Sequence, residues 1–400
     1  MKKYIILLIL YGLILSCKHE QKVQSIDIVL DINALEEIKI TAENYIKNAT
    51  YIQLETNDDC LIGNYIEKLV DIDNKIFILD SNNKIFVFDA NGAFLNTIGE
   101  KGGGPDELLS IMSFYVHPIK EYVGVIDVLK HTVFKYSYNG VLLDKVKYDN
   151  SLSEFYEVDL VNDENQLILT TFNEQKNNYE YLIVDENNMK LERDFSPYII
   201  TAEVPMKYGF PRVSILKDTC FILTQYSDIV QKYHDGKVNP YLLLDTHLKG
   251  VAHDTKFSDA TETGSILDIN NNLEKNKYSL GLEQVFSTND FLYLNTFNYD
   301  KQKIYNIFRD LQRNQNYSVI LDEAFLIYPI AGIVSFENFL TSTSNDLVAV
   351  FVNREGFMDV DEEVINNNES IKKIRSEYEE DGNPIIVYIN LKKLLEDAKK

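Results

Sequence analysis

The chain of 400 residues has no tryptophan, only 3 cysteines, 8 prolines and 17 glycines. Without Trp it cannot carry the Trp-Asp signature of WD40 repeats. So few cysteines exclude a disulfide scaffold, and with no C-x-x-C pair a cysteine-built zinc site is unsupported. Scarce Gly and Pro exclude collagen-like and low-complexity chains. Positive charge is short too. Against 62 Asp and Glu stand 39 Lys and Arg, a formal charge of −23, so a phosphate backbone would be repelled over most of the surface and nucleic acid is not an expected partner. No apolar run approaches the ~18–20 residues that cross a bilayer. What is present is a globular composition, 45% hydrophobic and 25% charged, with 26 Tyr and 21 Phe. Aromatic and β-branched residues in such numbers favour strands.

The first residues give an address. Lys2 and Lys3 precede an apolar stretch over residues 4–15, too short for a permanent span and suited to the h-region of a secretory signal. It ends Ile14-Leu15-Ser16-Cys17. A small residue directly before Cys is how a bacterial lipoprotein signal ends, so Cys17 is the expected acylation site, and outer-membrane lipid the expected partner through it. Residues 18–50 read as a tether and a leading strand, with a β-like cluster at 26–30 and an ambiguous stretch at 33–48. The other cysteines, Cys60 and Cys220, read as small buried hydrophobes rather than a bridge.

From residue 51 onward, strand-like runs of five to eight residues alternate with Asn, Asp, Gly and Lys. Residues 66–98 hold four such runs, at 66–70, 75–80, 84–89 and 93–98. The last two are joined through Asn91-Gly92, a pair that supplies positive φ for a tight hairpin. Sliding 48 residues superposes Phe134-Lys135-Tyr136-Ser137-Tyr138-Asn139-Gly140 on Phe86-Val87-Phe88-Asp89-Ala90-Asn91-Gly92. Fainter copies occupy 156–194, 211–245 and 282–322, and a sixth begins at 333. The expected fold is all-β: a six-bladed β-propeller of four-stranded antiparallel blades over 51–393. The sixth unit has only three strands of its own, at 333–340, 346–352 and 385–391. An open edge there is costly, so the N-terminal run Tyr51-Ile52-Gln53-Leu54 is expected to supply its outer strand and close the ring.

Ile98-Gly99-Glu100-Lys101-Gly102-Gly103-Gly104-Pro105-Asp106-Glu107-Leu108 resembles the G-x-x-G-x-G-P-x-E signature of a family of six-bladed β-propeller lipoproteins, NHL-like or TolB-like, from gut-type Gram-negative anaerobes. Leu54-Glu55-Thr56 with Cys60-Leu61-Ile62-Gly63, and Asp381-Gly382-Asn383-Pro384-Ile385, match it as well. The resemblance implies an envelope location at the outer membrane and carries no settled activity.

Catalytic signals are sparse. Gly102, Gly103, Gly104 and Pro105 lack the Lys-Ser or Lys-Thr of a phosphate loop and read as a structural crossover between blades. His19, His117, His131, His234, His247 and His253 form no H-x-H or H-E-x-x-H pair, so no metal site and no cofactor are expected. A G-x-S-x-G elbow is absent. In a propeller the blade-to-blade crossovers share a face with the hairpins between second and third strands. That face would carry His131, Phe172, Asn173, Tyr226, Asp228, Asn298 and Tyr299 as candidate ligand-binding residues, since rings stack on ligands and amides bond hydroxyls. An insert at 353–384 on the same face, with Ile371, Ile374 and Tyr378 at helical spacing, is expected to be either a short helix capping the channel mouth or a solvated excursion. The expected role is a non-catalytic binding or scaffolding lipoprotein for a glycan, peptide or protein partner. The alternative is an NHL-like lyase or hydrolase whose active site lies in the central channel.

Overall fold

The structure is a computed structural model; it describes residues 28–149, 155–162, 165–171, 179–197, 212–251, 266–321, 339–351, 369–376 and 382–400, with Ile26 and Leu152. The described chain opens with β1 (Ile28–Asp31), β2 (Glu36–Ile40), helix α1 (Ala42–Asn48) and β3 (Ala49–Gln53). Blade 1 then follows as β4 (Ile66–Ile72), β5 (Lys75–Asp80), β6 (Ile85–Asp89) and β7 (Phe94–Ile98). Blade 2 is β8 (Ile111–His117), β9 (Tyr122–Asp127), β10 (Thr132–Ser137) and β11 (Leu142–Lys147), and blade 3 is β12 (Phe155–Asn162), β13 (Gln166–Thr171), β14 (Tyr179–Asp185) and β15 (Leu191–Pro197). Blade 4 is β16 (Val213–Leu216), β17 (Thr219–Leu223), β18 (Ile229–His234) and β19 (Lys237–Asp245). Helix α2 (Ile266–Lys275) leads to blade 5, formed by β20 (Gln284–Ser287), β21 (Phe291–Asn298), β22 (Lys303–Asp310) and β23 (Gln315–Leu321). The last blade has β24 (Phe339–Ser342), β25 (Asp346–Phe351) and, after helix α3 (Glu369–Ser376), β26 (Ile385–Asn390); helix α4 (Leu391–Ala398) ends the chain. Within each blade these strands run antiparallel in sequence order, and together the blades make the six-bladed propeller.

Local chemistry sets the hairpins. Between β4 and β5 the two loop residues, Asp73 and Asn74, both have positive φ, the signature of a type I′ turn whose twist matches the flanking strands. The β6–β7 loop is different from the Asn-Gly turn expected of it. Gly92 alone is left-handed, while the Asp89 carboxylate accepts from the Asn91 and Ala93 amides at 2.8 and 2.9 Å. An aspartate that bonds the backbone of its own loop favours a longer turn with a bulge. The same loop recurs 48 residues on, with Ser137 Oγ accepting from Val141 N and Gly140 left-handed.

Two of these glycines also mark how blades meet. A Cβ on Gly140 would lie 2.7 Å from the carbonyl oxygen of Thr97, in the outer strand of blade 1. One on Gly92 would lie 2.3 Å from that of Gln53, in β3. Thus β3 stands to blade 1 as β7 stands to blade 2. It is the outer strand of blade 6, pairing antiparallel with β26 in the register Gln53↔Ile385 to Ala49↔Ile389. The ring closes as the sequence predicts.

A second bolt reinforces the seam. Asn383 is fully buried; its Oδ1 accepts from Ile62 N at 2.8 Å, and its Nδ2 donates to the carbonyls of Glu55 and Cys60 at 2.6 and 2.7 Å. Its own amide donates to Thr56 Oγ1 at 2.7 Å. One side chain therefore ties together two sequence motifs more than 300 residues apart.

The ambiguous stretch after β1 is part of the ring. β1 lies parallel to β19 as a fifth strand on blade 4, and β2 lies parallel to β23 on blade 5. α1 then neighbours α4 and β26 on the way to blade 6. The hydrophobic core is divided among the gaps between blades, with a buried cluster in each of the six. Middle strands such as β5 and β6 face a neighbouring blade on both sides, which is why Ile76-Phe77-Ile78-Leu79 and Ile85-Phe86-Val87-Phe88 are apolar throughout. Phe and Tyr fill the space that Trp would take elsewhere, among them Phe77, Phe114, Phe308, Tyr181 and Tyr293. Cys60 and Cys220 are free and buried in different gaps, 6/1 and 3/4.

Candidate functional site: the central channel

The first strands of all six blades face the axis, and their side chains enclose a cavity of about 930 Å³. Period-two alternation makes these strands half apolar and half polar, and the polar half is unevenly distributed. Blades 1 to 4 contribute Glu67, Lys68, Ser113, Tyr156, Glu157, Asp159 and Arg212, whereas the described residues of blades 5 and 6 contribute Phe286, Leu340, Thr341 and Ser342.

Lys68 organises the charged wall. Its ammonium donates to Glu157 Oε1, to Asp159 Oδ1 at 2.9 Å and to the Val158 carbonyl at 2.6 Å. Ser113 Oγ donates to the same Glu157 oxygen at 2.8 Å. Burial alone would depress the Lys68 pKa, but the carboxylates of Asp159 and Glu157 outweigh it and hold it above its ordinary value. Glu157 is moved upward by burial against the pull of Lys68. Arg212 Nη1 sits 3.2 Å from Glu180 Oε2, behind the wall, and Glu180 also accepts from the Gln225 amide. Burial pushes the Tyr156 phenol up to about 12, opposed by Arg212.

Two buried acids make stability depend on pH. Burial raises Glu180 to about 7 against Arg212, and Asp228 to about 6 against the hydroxyls of Ser279 and Thr246. Their ordinary values are 4.5 and 3.8, so the folded chain holds these protons more tightly than the unfolded one. Stability is therefore greatest below the unfolded values and falls as pH rises to about 7. Melting midpoints should be lower at pH 8 than at pH 5. Asp228→Asn keeps an acceptor for Ser279 but cannot ionise, and should flatten that slope; a slope unaltered by the substitution would contradict the assignment.

None of the described residues singled out as ligand contacts in the sequence lines the cavity. Tyr226 and Tyr299 do meet, but inside a closed cluster with Leu273 of α2 and Leu280, and both are buried. Asp228 accepts from Ser279 Oγ at 2.6 Å, and Asn298 accepts from its own turn at Lys301 N. The cause is the connection between blades 4 and 5, whose described parts, 246–251 and 266–283, pack against these side chains. His131 packs edge-on against Tyr148. Phe172 and Asn173 lie outside the described residues, as does Cys17. The glycine motif closes on itself: Gly104 N donates to Glu107 Oε2 at 2.7 Å, and Lys130 Nζ donates to the Gly104 and Glu107 carbonyls, each at 2.5 Å. α3 is helical as expected but adjoins β3 on the outer edge of blade 6, so it does not cap the channel.

The wall residues form no sequence motif, because they are single polar positions inside strands whose pattern is dominated by apolar residues. One signal was available. Glu157 and Asp159, two apart in a first strand, must share a face.

Glu186, at the blade 2/3 gap, is a second charged cluster but an enclosed one. It accepts from Tyr115 Oη at 2.7 Å and from Tyr122, with Lys135 Nζ at 3.2 Å. Although burial would raise its pKa, these partners outweigh that and lower it. Among the described residues no three His, Cys, Asp or Glu side chains are grouped to hold a metal ion, and no helix is long and apolar enough to cross a membrane.

A solved structure of a Bacteroides fragilis protein described as exported is similar, with a TM-score of 0.66 at 17% identity, covering 88% of this chain and 99% of the other. A DUF4221-family member from Bacteroides vulgatus gives 0.50 at 11% identity, covering 85% and 95%. At such identities the likeness is one of fold. No curated protein matches the sequence. The profile of a family described as a domain of unknown function (DUF4934) matches residues 23–390, most of the chain, and the protein belongs to that family.

Proposed function

We propose that the protein is a cell-envelope lipoprotein, acylated at Cys17, whose propeller binds a glycan, peptide or protein partner through the central channel without turning it over. The observation that carries this reading is the cavity of about 930 Å³, with charged side chains from blades 1, 3 and 4 and, from the described residues of blades 5 and 6, only uncharged ones. That volume lies at the upper end of ligand clefts, about 300–1,000 Å³. A non-catalytic role is favoured by the state of Lys68: an ammonium bonded to two carboxylates and a carbonyl is held charged, whereas a catalytic base must lose its proton near working pH. The envelope location is supported by the leader ending at Cys17 and by the exported Bacteroides fragilis protein of like fold. Peptide and glycan libraries screened against the mature chain should yield a ligand whose affinity falls at least tenfold on Thr341→Tyr, which narrows the cavity from the uncharged side. A ligand indifferent to that substitution would place binding elsewhere. Lyase or hydrolase activity is the second reading, favoured by Tyr156 beside Arg212 and the near-neutral Glu180; it requires the bound ligand to be consumed on incubation.

A further inference from the structure

Resting on the channel as the binding site, we infer that its occupant is a neutral, hydroxyl-rich molecule, an oligosaccharide, whose hydroxyls donate to Glu157 and Asp159. These carboxylates are two residues apart on β12, on one side of the strand and about 6.7 Å apart along it. Each spends one oxygen on Lys68. Their other oxygens, Glu157 Oε2 and Asp159 Oδ2, accept from no described residue, and the two side chains are 32% and 27% exposed against the cavity.

Charge decides what can use them. A ligand ammonium would seek the position between two carboxylates, and the protein's own Lys68 already fills it. Its three donors are all engaged. An anionic ligand meets the same two carboxylates, and of the described cations lining the cavity Lys68 is saturated and Arg212 is committed to Glu180, while Lys217 sits in the turn after β16 rather than on a first strand. What the wall offers is acceptor capacity without a vacant counter-charge, which suits O–H donors. Hydrogen bonds from neutral hydroxyls to carboxylates are roughly twice as strong as neutral pairs. From blades 5 and 6, Phe286 and Leu340 give apolar surface for the C–H faces of sugar rings.

The test is an array of neutral hexose, pentose and N-acetylhexosamine oligosaccharides, their deacetylated cationic and uronate counterparts, and lysine-rich peptides, probed with the mature chain. Neutral probes should be retained over charged ones. Asp159→Asn, nearly isosteric, should weaken the best neutral probe about tenfold, and Thr341→Tyr should weaken it from blade 6. Lys68→Met removes the internal counter-ion and should shift preference to cationic probes at least tenfold. Circular dichroism confirms that each variant is folded, and Thr341→Tyr keeps the test open if the wall variants are not. Preference for cationic or anionic probes, weakened by Thr341→Tyr, overturns this inference and leaves the channel reading standing. A neutral probe insensitive to all three substitutions overturns both. Binding to nothing on the array overturns the oligosaccharide assignment.

Discussion

A chain beginning at Leu54 is expected to show no cooperative thermal transition, whereas one beginning at Thr41 should keep a single transition at a lower midpoint. Both lose β1 and β2, the extra strands on blades 4 and 5; only the first also loses α1, with its buried Tyr45 and Ile46, and β3. β1 and β2 pair with outer strands of blades that already have four strands. Their loss removes apolar side chains that they add to the core, including Ile38 and Ile40, at a cost of about 2 kcal/mol per large apolar side chain. β3 is different in kind. Without it blade 6 has three strands, and β26 presents an open edge whose N–H and C=O groups had paired over five residues. Each such bond contributes about 1 kcal/mol net, and burial of the Tyr51 ring adds a comparable amount. That sum is a large part of the ~5–15 kcal/mol that holds a typical domain folded. It also falls on the one joint that makes the first and last blades neighbours. Differential scanning calorimetry of the two truncations separates the cases. A chain starting at Leu54 that melts in one sharp transition would refute closure by β3.

Asn383→Ala is expected to destabilise the ring by about 3 kcal/mol or more, lowering the melting midpoint by roughly 4–6 °C. The substitution strands the Ile62 amide and the Cys60 carbonyl in a buried region and leaves the Glu55 carbonyl only its weak bond from Cys60 Sγ, and each orphaned group costs about 1–3 kcal/mol. Asn383→Asp has the same shape but should be worse at neutral pH. It sets a carboxylate oxygen where the amide nitrogen had donated to two carbonyls at 2.6 and 2.7 Å. Protonation restores one donor, so this variant should recover stability as pH falls. Thermal melts of the two variants between pH 5 and 8 provide the check; an alanine variant melting with the wild type would show that water replaces the amide without loss.

These two seams differ in how far they could be read in advance. β3 was legible because the sixth repeat is one strand short, and an uncovered edge demands a partner. The role of Asn383 was not. The motifs it joins, Leu54-Glu55-Thr56 with Cys60-Leu61-Ile62-Gly63 and Asp381-Gly382-Asn383-Pro384, are visible separately. Nothing local says that one amide side chain satisfies three backbone groups of the other. The glycine-rich crossover falls between these cases: its position after β7 follows from the repeat, while the use of Glu107 and Lys130 to fasten it needed coordinates.

Strand periodicity, turn residues and the count of strands per repeat are properties of neighbouring residues, so the amino-acid order alone determined six blades and where the ring shuts. The channel wall brings Lys68, Ser113, Glu157 and Arg212 from four blades to one axis, and their separations along the chain carry no trace of that meeting. The long connection over Tyr226 and Tyr299 likewise turned apparent surface aromatics into core. Only the tertiary structure decided both, because convergence on an axis and burial under a distant segment depend on the path of the whole chain.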